Sequence, residues 1–397
     1  MKTSLRSEIM QESPIRKLAA YADEANKKGI TVYPLNIGQP DIPTPEPIMN
    51  AIRSFPYEIL NYGPSQGENF TTEAFAGYYK KIGINLDAKD LIVTAGGSEA
   101  ILFAYLTICD IDDEIIVFEP FYTNYNGIAT ETGVKLKAVT TYAEDGFKLP
   151  PNEEIEKAIT NKTKAILICN PNNPTGTVYS KEELERLAAI AIKHDLFIIS
   201  DEVYREFVYD GQVHTSVLSI DSIKDRAILC DSVSKRYSAC GARIGVIASK
   251  NKDFMAKCLK FAQARLSAPM VDQWGAAEGL KMDLDYFKPV LEEYTKRRNT
   301  VMEALDKIPG VICKIPGGAF YAIVKLPIKN AERFAKWLIT DFSYEKKTVL
   351  VAPAAGFYVT KGRGLDEIRI SYVLHIEWLK TAMNLLTKGL EEYRKIE

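Results

Sequence analysis

The stretch Ala227-Ile-Leu-Cys-Asp-Ser-Val-Ser-Lys235 is followed, after five residues, by a second informative segment, Gly241-Ala-Arg-Ile-Gly245. The apolar residues at its start predict a buried strand, and the polar residues after them lie where that strand ends. Lys235 in this position suits an amine that bonds covalently to an aldehyde. Removal from bulk water favours the neutral, nucleophilic form of a lysine. The segment therefore predicts a strand that ends in a chemically active site.

Three residues near this lysine can bind phosphate. Ser232 and Ser234 carry hydroxyl donors, and Arg243 has a guanidinium that can grip two phosphate oxygens at once. A lysine beside such residues suggests a phosphorylated aldehyde, namely pyridoxal phosphate (PLP). A polar surface loop after a strand is the alternative interpretation of the segment taken alone.

Three other polar segments also follow apolar runs that predict strands. These are residues 95–98, 170–176 and 200–204, which come after the runs 91–94, 165–169 and 196–199. Ligands of an open α/β sheet bind outside the carboxyl ends of its strands, so we expect these segments to converge on one crevice. Gly96 and Gly97 let the backbone approach a phosphate, and the helix that follows adds N–H donors. No nucleotide-binding G-x-G-x-x-G pattern stands where it would be needed.

In this order and spacing, the motifs resemble those of the fold-type I PLP enzymes, specifically the class I aminotransferases of the aspartate aminotransferase family. They are N-P-N-N-P-T-G at 170–176, D-E-V-Y at 201–204, S-x-S-K at 232–235 and G-x-R-x-G at 241–245. The resemblance runs from Leu35–Asp41 through Asn61–Gly63 and Pro316–Tyr321 to Ile368–Ser371. It implies an α/β fold, with a mostly parallel seven-stranded sheet in a large domain and a small α+β domain.

The resemblance also implies a role for each matching residue. Lys235 would bond to the cofactor and carry the substrate proton, with Asp201 facing the pyridine nitrogen and Tyr204 donating to the phenolic oxygen. Asn173 would donate to the same oxygen, and Tyr122 would stack on the ring. The implied phosphate ligands are Gly97, Ser98, Ser232, Ser234, Arg243 and, from the partner subunit of a homodimer, Tyr62.

The substrate would be held by residues from both ends of the chain. Arg369 matches the arginine that binds the α-carboxylate, with Ile37, Gly38 and Asn173 beside it. Ser98 departs from the pattern, since many bacterial aspartate aminotransferases of this type have a lysine there that pairs with a second carboxylate. Arg236 and Arg265 are candidates for a substitute cation.

Composition is typical of a cytoplasmic enzyme. The chain has 397 residues, 46% of them hydrophobic, and its 50 basic and 52 acidic residues argue against a nucleic-acid partner. The six cysteines lack C-x-x-C pairs and predict reduced thiols, and the three histidines share no metal-ligand spacing, so we expect no metal. No signal peptide is evident, and no apolar run approaches the ~18 residues of a membrane helix.

Pattern along the chain predicts an N-terminal arm over residues 1–45, a large PLP-binding domain over 46–285 and a small domain over 286–397. Ser13-Pro14 predicts the start of a helix that Gly29 ends. The charged segment 286–308 predicts a helix between the domains, with a kink possible at Pro289.

The expected activity is transfer of an α-amino group between an amino acid, either aspartate or a broad or aromatic donor, and a 2-oxo acid such as 2-oxoglutarate. A PLP-dependent C–S lyase or related enzyme of the same fold is the nearest alternative, because the fold alone does not separate them. A non-catalytic PLP-sensing regulator is a remote alternative, since the chain lacks a basic DNA-binding segment. The sequence leaves open the preferred donor, the physiological direction, the pathway and any assembly beyond the dimer.

Overall fold

The computed structural model describes the whole chain, Met1–Glu397. Twelve strands and fourteen α-helices alternate along most of it. The strands are β1 Thr31–Pro34, β2 Leu91–Thr94, β3 Glu114–Glu119, β4 Lys135–Thr140, β5 Thr163–Cys169, β6 Phe197–Asp201, β7 Ala227–Ser232, β8 Gly245–Ala248, β9 Tyr321–Lys325, β10 Lys347–Leu350, β11 Ala352–Pro353 and β12 Glu367–Ser371. The helices are α1 Leu5–Ile9, α2 Ala19–Lys27, α3 Glu46–Arg53, α4 Asn69–Lys81, α5 Gly97–Ile108, α6 Asn124–Thr132, α7 Asn152–Lys157, α8 Lys181–Lys193, α9 Val233–Arg236, α10 Lys252–Arg265, α11 Met270–Lys281, α12 Phe287–Leu305, α13 Ala331–Thr340 and α14 Ile376–Tyr393.

Seven strands form the main sheet, in the order β2-β8-β7-β6-β5-β3-β4. The five strands from β7 to β4 are parallel, while β8 runs antiparallel to both of its neighbours. Because β2 and β7 both run against β8, β2 points the same way as the five parallel strands. The prediction of a mostly parallel seven-stranded sheet is confirmed.

Both faces of this sheet are buried, which is why its strands are nearly continuous apolar runs. Successive side chains of a strand point to opposite faces. In β5, for example, Leu167 packs into the core on one face, while Ile166 and Ile168 pack into the core on the other. Helices cover each face, with α5 and α10 on the first and α4, α8 and α11 on the second.

Two smaller sheets lie in the C-terminal part. β9, β12 and β11 form an antiparallel sheet. β1 pairs in parallel with β10, so Thr31 lies opposite Lys347 although more than three hundred residues separate them. This pairing brings the N-terminal segment to the C-terminal part of the fold. The division into an arm and two domains stays a prediction.

Two local predictions need correction. The N-terminal helix begins at Ala19 rather than near Ser13, because the carbonyl of Ser13 closes only a single turn before the helix. Pro289 does not kink α12, because it lies in the first turn, where a missing backbone N–H leaves no hydrogen bond unmade. No helix of the protein is both long and apolar enough to cross a membrane.

Candidate active site

The polar segments predicted to converge do meet at one edge of the main sheet. Cys169, at the end of β5, lies beside Asp201 at the end of β6, and Asp201 lies beside Cys230 of β7. Ser232 of β7 and Thr94 of β2 both lie opposite the first residue of β8. The carboxyl ends of four strands therefore form one crevice.

That first residue of β8, Gly245, allows the backbones to come unusually close. A Cβ atom there would lie 2.5 Å from the carbonyl carbon of Gly96 and 2.7 Å from the carbonyl oxygen of Asp231. Only glycine fits such a position. The approach brings the start of α5 against the strand end that carries Ser232.

The residues predicted to bind phosphate lie together around this approach. A Cβ on Gly97, the first residue of α5, would be 3.8 Å from the Cβ of Ser232. The Ser232 hydroxyl lies 2.6 Å from that of Ser234. Arg243, held in a left-handed backbone conformation at φ 54°, donates from its guanidinium to the carbonyl of Ala95 over 3.1 Å. Hydroxyls, a guanidinium and a helix N-terminus thus surround one small space, which is the donor set that an anion needs.

Lys235 projects from α9 toward the N-terminal segment. Its Nζ donates to the carbonyl of Gly38 over 3.1 Å and lies 3.7 Å from the Cys240 Sγ. Burial lowers the Lys235 pKa, but the anionic forms of Tyr321, Cys240 and Tyr122 raise it by more, and the pKa stands above its usual value. Burial thus acts toward the neutral amine, as the sequence suggests, but its effect on the pKa is smaller than the combined effect of these three neighbours.

Asp201 is buried at the end of β6. Its carboxyl accepts a hydrogen bond from the Tyr125 hydroxyl over 2.7 Å and a longer one from the backbone N–H of Val203. Burial raises the Asp201 pKa to about 6, although both hydrogen bonds act to lower it. The sequence analysis missed Tyr125, whose signal was its position three residues after Tyr122 at the start of a helix.

Aromatic and amide groups line the space between these residues. The Tyr204 hydroxyl is 3.0 Å from the Tyr321 hydroxyl and 3.5 Å from the Asn173 amide nitrogen. Tyr122 packs edge-on against Tyr125, with ring centroids 5.6 Å apart. Tyr321 was quoted only as part of a longer motif, yet its hydroxyl also faces the Gly38 carbonyl at 3.4 Å.

Arg369 of β12 completes the same space from the small antiparallel sheet. It is 1% exposed, and its guanidinium donates to the Asn173 side chain over 3.0 Å and to the Asn36 carbonyl. The guanidinium lies over the Tyr321 ring at 4.4 Å. Its Nε has no hydrogen-bond partner, and the groups that its other nitrogens bond are an amide side chain and a backbone carbonyl rather than carboxylates. A buried cation without an anion is costly unless a ligand supplies one.

Other predicted residues lie at the margin or outside. Ser98 accepts a hydrogen bond from the Asn124 amide over 3.0 Å. Ile37 is half-exposed, and its carbonyl accepts from the Ser371 hydroxyl. Tyr62 is 84% exposed.

Neither candidate for a second substrate-binding cation is free. Arg236 is fully buried against Asp231. Arg265 pairs with Glu99 at 3.1 Å and donates to the carbonyls of Ser65 and Val93. The suggestion that either of them serves a substrate carboxylate finds no support in these contacts.

A lysine, a buried carboxyl and a phosphate cradle at the carboxyl edge of a mostly parallel seven-stranded sheet define the fold-type I class of PLP-dependent enzymes. The family model described as aminotransferase class I and II matches residues 30–384. The chain belongs to that family.

Relatives of different named specificities match over almost the whole chain. An aspartate aminotransferase of Bacillus subtilis is 30% identical, over 99% of this chain and 100% of its own. The aromatic-amino-acid aminotransferase 2 of Thermococcus litoralis is 33% identical over the full length of both chains.

Solved structures agree. The aspartate aminotransferase of Thermus thermophilus with maleate has a TM-score of 0.89 at 29% identity, covering 98% of this chain and 100% of that one. An alanine aminotransferase from Pyrococcus furiosus gives 0.90 at 32% identity, with the same coverage. The prediction of an aminotransferase is confirmed at the level of the family, and these relatives are named as transaminases rather than lyases.

Proposed function

We propose that this aminotransferase uses PLP and that the residues of the crevice divide the work as the sequence analysis predicted. The observation that carries the proposal is Arg369, a buried guanidinium with no carboxylate partner and an unpaired Nε. It shares the Gly38 and Tyr321 neighbourhood with Lys235. An amine-reactive site next to an anion site suits an α-amino acid.

The residues present fit PLP. Gly97, Ser98, Ser232, Ser234 and Arg243 would hold its phosphate, because their hydroxyls, guanidinium and backbone N–H groups meet where glycine alone permits close backbone approach. Asp201 would hold a proton on the pyridine nitrogen, and Tyr204 and Asn173 would donate to the phenolic oxygen. Tyr122 would lie against the ring.

When bound, PLP supplies an electron sink that stabilises a carbanion at the substrate Cα. Arg369 fixes the α-carboxylate, and the Asn173 side chain, which accepts from Arg369, holds the guanidinium in orientation. Lys235 would carry the proton between the substrate Cα and the cofactor. Ile37 and Gly38 contribute backbone beside the substrate, and Tyr321 closes the space above Gly38.

The proposed donor preference rests on whether an arginine of the chain is available for a carboxylate on the substrate side chain. Arg236 and Arg265 are both engaged elsewhere in the fold, so neither of these two candidates is free to pair with a substrate side-chain carboxylate. A buried, unpaired carboxylate on the substrate side chain is unfavourable. We therefore favour donors with uncharged side chains, including aromatic ones, over aspartate. The same argument applies to 2-oxoglutarate, whose second carboxylate would enter the same pocket, so the proposed acceptor is a 2-oxo acid of either kind.

The assembly is proposed as a homodimer in which Tyr62 reaches the partner's phosphate site. Support comes from the exposure of Tyr62 and of its neighbours Tyr57, Ile59 and Leu60, since consecutive exposed apolar residues mark contact surfaces. A cytoplasmic location is also proposed, resting on six free thiols.

A donor panel with Lys235→Ala tests the proposal. Purified protein loaded with PLP is incubated with single amino acids, and both the 2-oxo acid product and the amino form of the cofactor are measured. We expect stoichiometric product in one half-reaction, and turnover only when a 2-oxo acid is added.

Lys235→Ala should retain PLP through its phosphate but lose turnover, with the exposed-lysine variant Lys252→Ala as the matched control. Undiminished steady-state turnover by Lys235→Ala would contradict the assignment.

A further inference from the structure

A buried charge cluster lies directly behind the crevice. Its members are Glu202, Arg205, Glu206, Asp231 and Arg236, and none of their side chains is more than 7% exposed. Three carboxyls thus face two guanidiniums in a space from which water is nearly excluded. Such a cluster is expensive to bury, so its retention calls for a role beyond stability.

Asp231 and Arg236 form the central pair of this buried charge cluster. Both oxygens of Asp231 accept from the Arg236 guanidinium. Asp231 also accepts from the Tyr79 hydroxyl over 2.7 Å and from the backbone N–H of Ser232 over 2.6 Å. The Arg236 guanidinium lies 4.4 Å from the centre of the Tyr78 ring and 3.4 Å from a Glu206 oxygen. The pair therefore has almost no freedom to move.

Glu202 and Arg205 form the other half. Glu202 accepts from the Arg205 guanidinium, from the Ser216 hydroxyl over 3.0 Å and from the backbone N–H of Val217 over 3.1 Å. The imidazole of His214 lies 3.6 Å from Glu202, but burial and Arg205 hold the His214 pKa well below its usual value. His214 is therefore neutral at physiological pH and does not offset the surplus carboxylate.

The position of these charges along the chain links them to the site. Asp231 precedes Ser232, Glu202 follows Asp201, Arg205 follows Tyr204 and Arg236 follows Lys235. Asp231 and Ser232 are adjacent residues of β7 and so point to opposite faces, which puts Asp231 behind the strand end that carries Ser232. The Asp231–Arg236 pair spans the strand end and the helical turn that carry Ser232 and Lys235.

We propose that Asp231 and Arg236 are positioning residues for the reaction, and that they fix the turn carrying Lys235 and set the electrostatic potential around its amine. This inference rests on the proposed function of Lys235. The pair would act in two ways. It holds the backbone of the turn that carries Lys235, and its charges change the electrostatic potential at the Lys235 amine. Removing Asp231 leaves two arginines against two carboxyls. Removing Arg236 leaves three carboxyls against one arginine.

Several other groups also set the potential in the crevice. Those around Asp201 and Lys235 are Tyr125 and Tyr122 from α6 and the loop before it, Cys169 from β5, Cys230 from β7, Cys240 after α9, Tyr321 from β9 and Arg369 from β12. Burial raises the pKa of Cys169, Cys230 and Tyr125, so they stay uncharged at neutral pH. Asp201 is the other group whose charge these variants can change, because Asp231 is one of the groups that raise its pKa.

The test is a pH titration of the bound cofactor's absorption in the holoenzyme. Asp231→Asn makes the surroundings more positive, so a proton on the Lys235–cofactor linkage should be lost at lower pH. Arg236→Gln should move the midpoint to higher pH. We expect shifts of about half a pH unit or more, opposite in sign. The double variant should return toward wild type.

A purely structural role predicts a different result. Both variants would then lose cofactor affinity and thermal stability together, with midpoints unmoved or moved in the same direction, and that outcome would overturn the inference. A wild-type holoenzyme without any pH-dependent absorption change would instead refute the proposed role of Lys235.

Two milder substitutions test the inference if the charge variants do not fold. Tyr79→Phe removes one hydrogen bond to Asp231 and should raise the midpoint by a smaller amount. Tyr105→Phe is the matched control, because Tyr105 is equally buried and its hydroxyl has no partner. Equal midpoints in these two variants would also count against the inference.

Discussion

Asp201 holds a carboxyl group where water does not reach it. Its pKa is raised to about 6 from a usual 3.8, mainly by burial. The protonated form is therefore favoured in the fold, and its contribution to stability is present below pH 3.8 and lost as the pH rises to about 6. Above that, the buried carboxylate costs on the order of 3 kcal/mol at most. A cation at the pyridine nitrogen would offset this cost.

The upward shift of the Asp201 pKa gives a prediction for Asp201→Asn. Without PLP, the variant should be more stable than wild type at pH 8, and the difference should vanish near pH 4, as measured by urea unfolding. With PLP, the variant should lose several orders of magnitude in turnover, because a preorganised charge in a dry site contributes at least ~3 kcal/mol. Equal stability at all pH values would mean that Asp201 is hydrated or otherwise compensated.

Ser98 gives a second prediction at this scale. Its hydroxyl accepts from Asn124, and Arg265, a candidate for the second substrate-binding cation, is paired with Glu99. Ser98→Lys should raise kcat/KM for aspartate relative to phenylalanine by about tenfold, since a new charge-assisted hydrogen bond to the second carboxylate is available.

Ser98→Met is the control for side-chain length. PLP affinity is measured in both variants, because Ser98 is also a proposed phosphate ligand. If the ratio stays constant while PLP binding is intact, the side-chain pocket is built elsewhere.

Among the elements, the junction of β2, β8 and β7 positions the phosphate cradle. A Cβ on Gly245 would lie 2.5 Å from backbone of Gly96, and backbone cannot turn aside as a side chain can. Gly245→Ala should therefore destabilise the fold by about 1–3 kcal/mol and weaken PLP binding tenfold or more.

Gly241→Ala is the matched control, because a Cβ there meets nothing within 4 Å. Thermal unfolding and PLP titration measure both effects. Identical behaviour of the two variants would show that the strands separate easily at this edge.

Elements with strong local signals could be predicted from the sequence, and contacts between distant segments could not. The strand ends at Cys169, Asp201 and Ser232 followed from apolar runs that stop at polar residues. The start of α2 was placed too early, because Ser13-Pro14 is a helix-start signal that here closes only one turn. Propensity is a weak guide where tertiary contacts decide.

The residues of the candidate site could likewise be predicted only in part from the sequence. Motif residues such as Lys235 and Arg369 were identified by resemblance, and the structure brings them together around Gly38 and Tyr321. The hydrogen bonds from Tyr125 to Asp201 and from Tyr79 to Asp231 join segments far apart in sequence. No local pattern encodes such partners, because they depend on how the strands are ordered.

For the whole molecule, the two ends of the chain meet near the site. β1 pairs with β10, and the carbonyls of Asn36 and Gly38, just after β1, accept from Arg369 and Lys235. The site therefore depends on residues from positions 36 to 369 of one chain. The loop that carries Tyr62 is the exception, since it points its apolar side chains into solvent.

This exception leads to a prediction about assembly. If Tyr62 serves the partner's phosphate site, Tyr62→Ala and Lys235→Ala damage different halves of each composite site. In a mixed dimer, one site carries both substitutions and the other carries neither. Purified mixed dimers of two weakly active variants should then show up to about half of wild-type activity, since each mixed dimer has one intact site of two.

The measurement uses differently tagged subunits, exchanged under mild denaturation and purified through both tags, so that every dimer assayed is mixed. Each variant exchanged with itself gives the baseline. The opposite outcome would be equally clear. If Tyr62 served the site of its own subunit, each site of a mixed dimer would carry one defect. Activity would then stay at the mean of the two parents. Restoration above that mean requires an intact site, and an intact site can form only if the tyrosine crosses the interface.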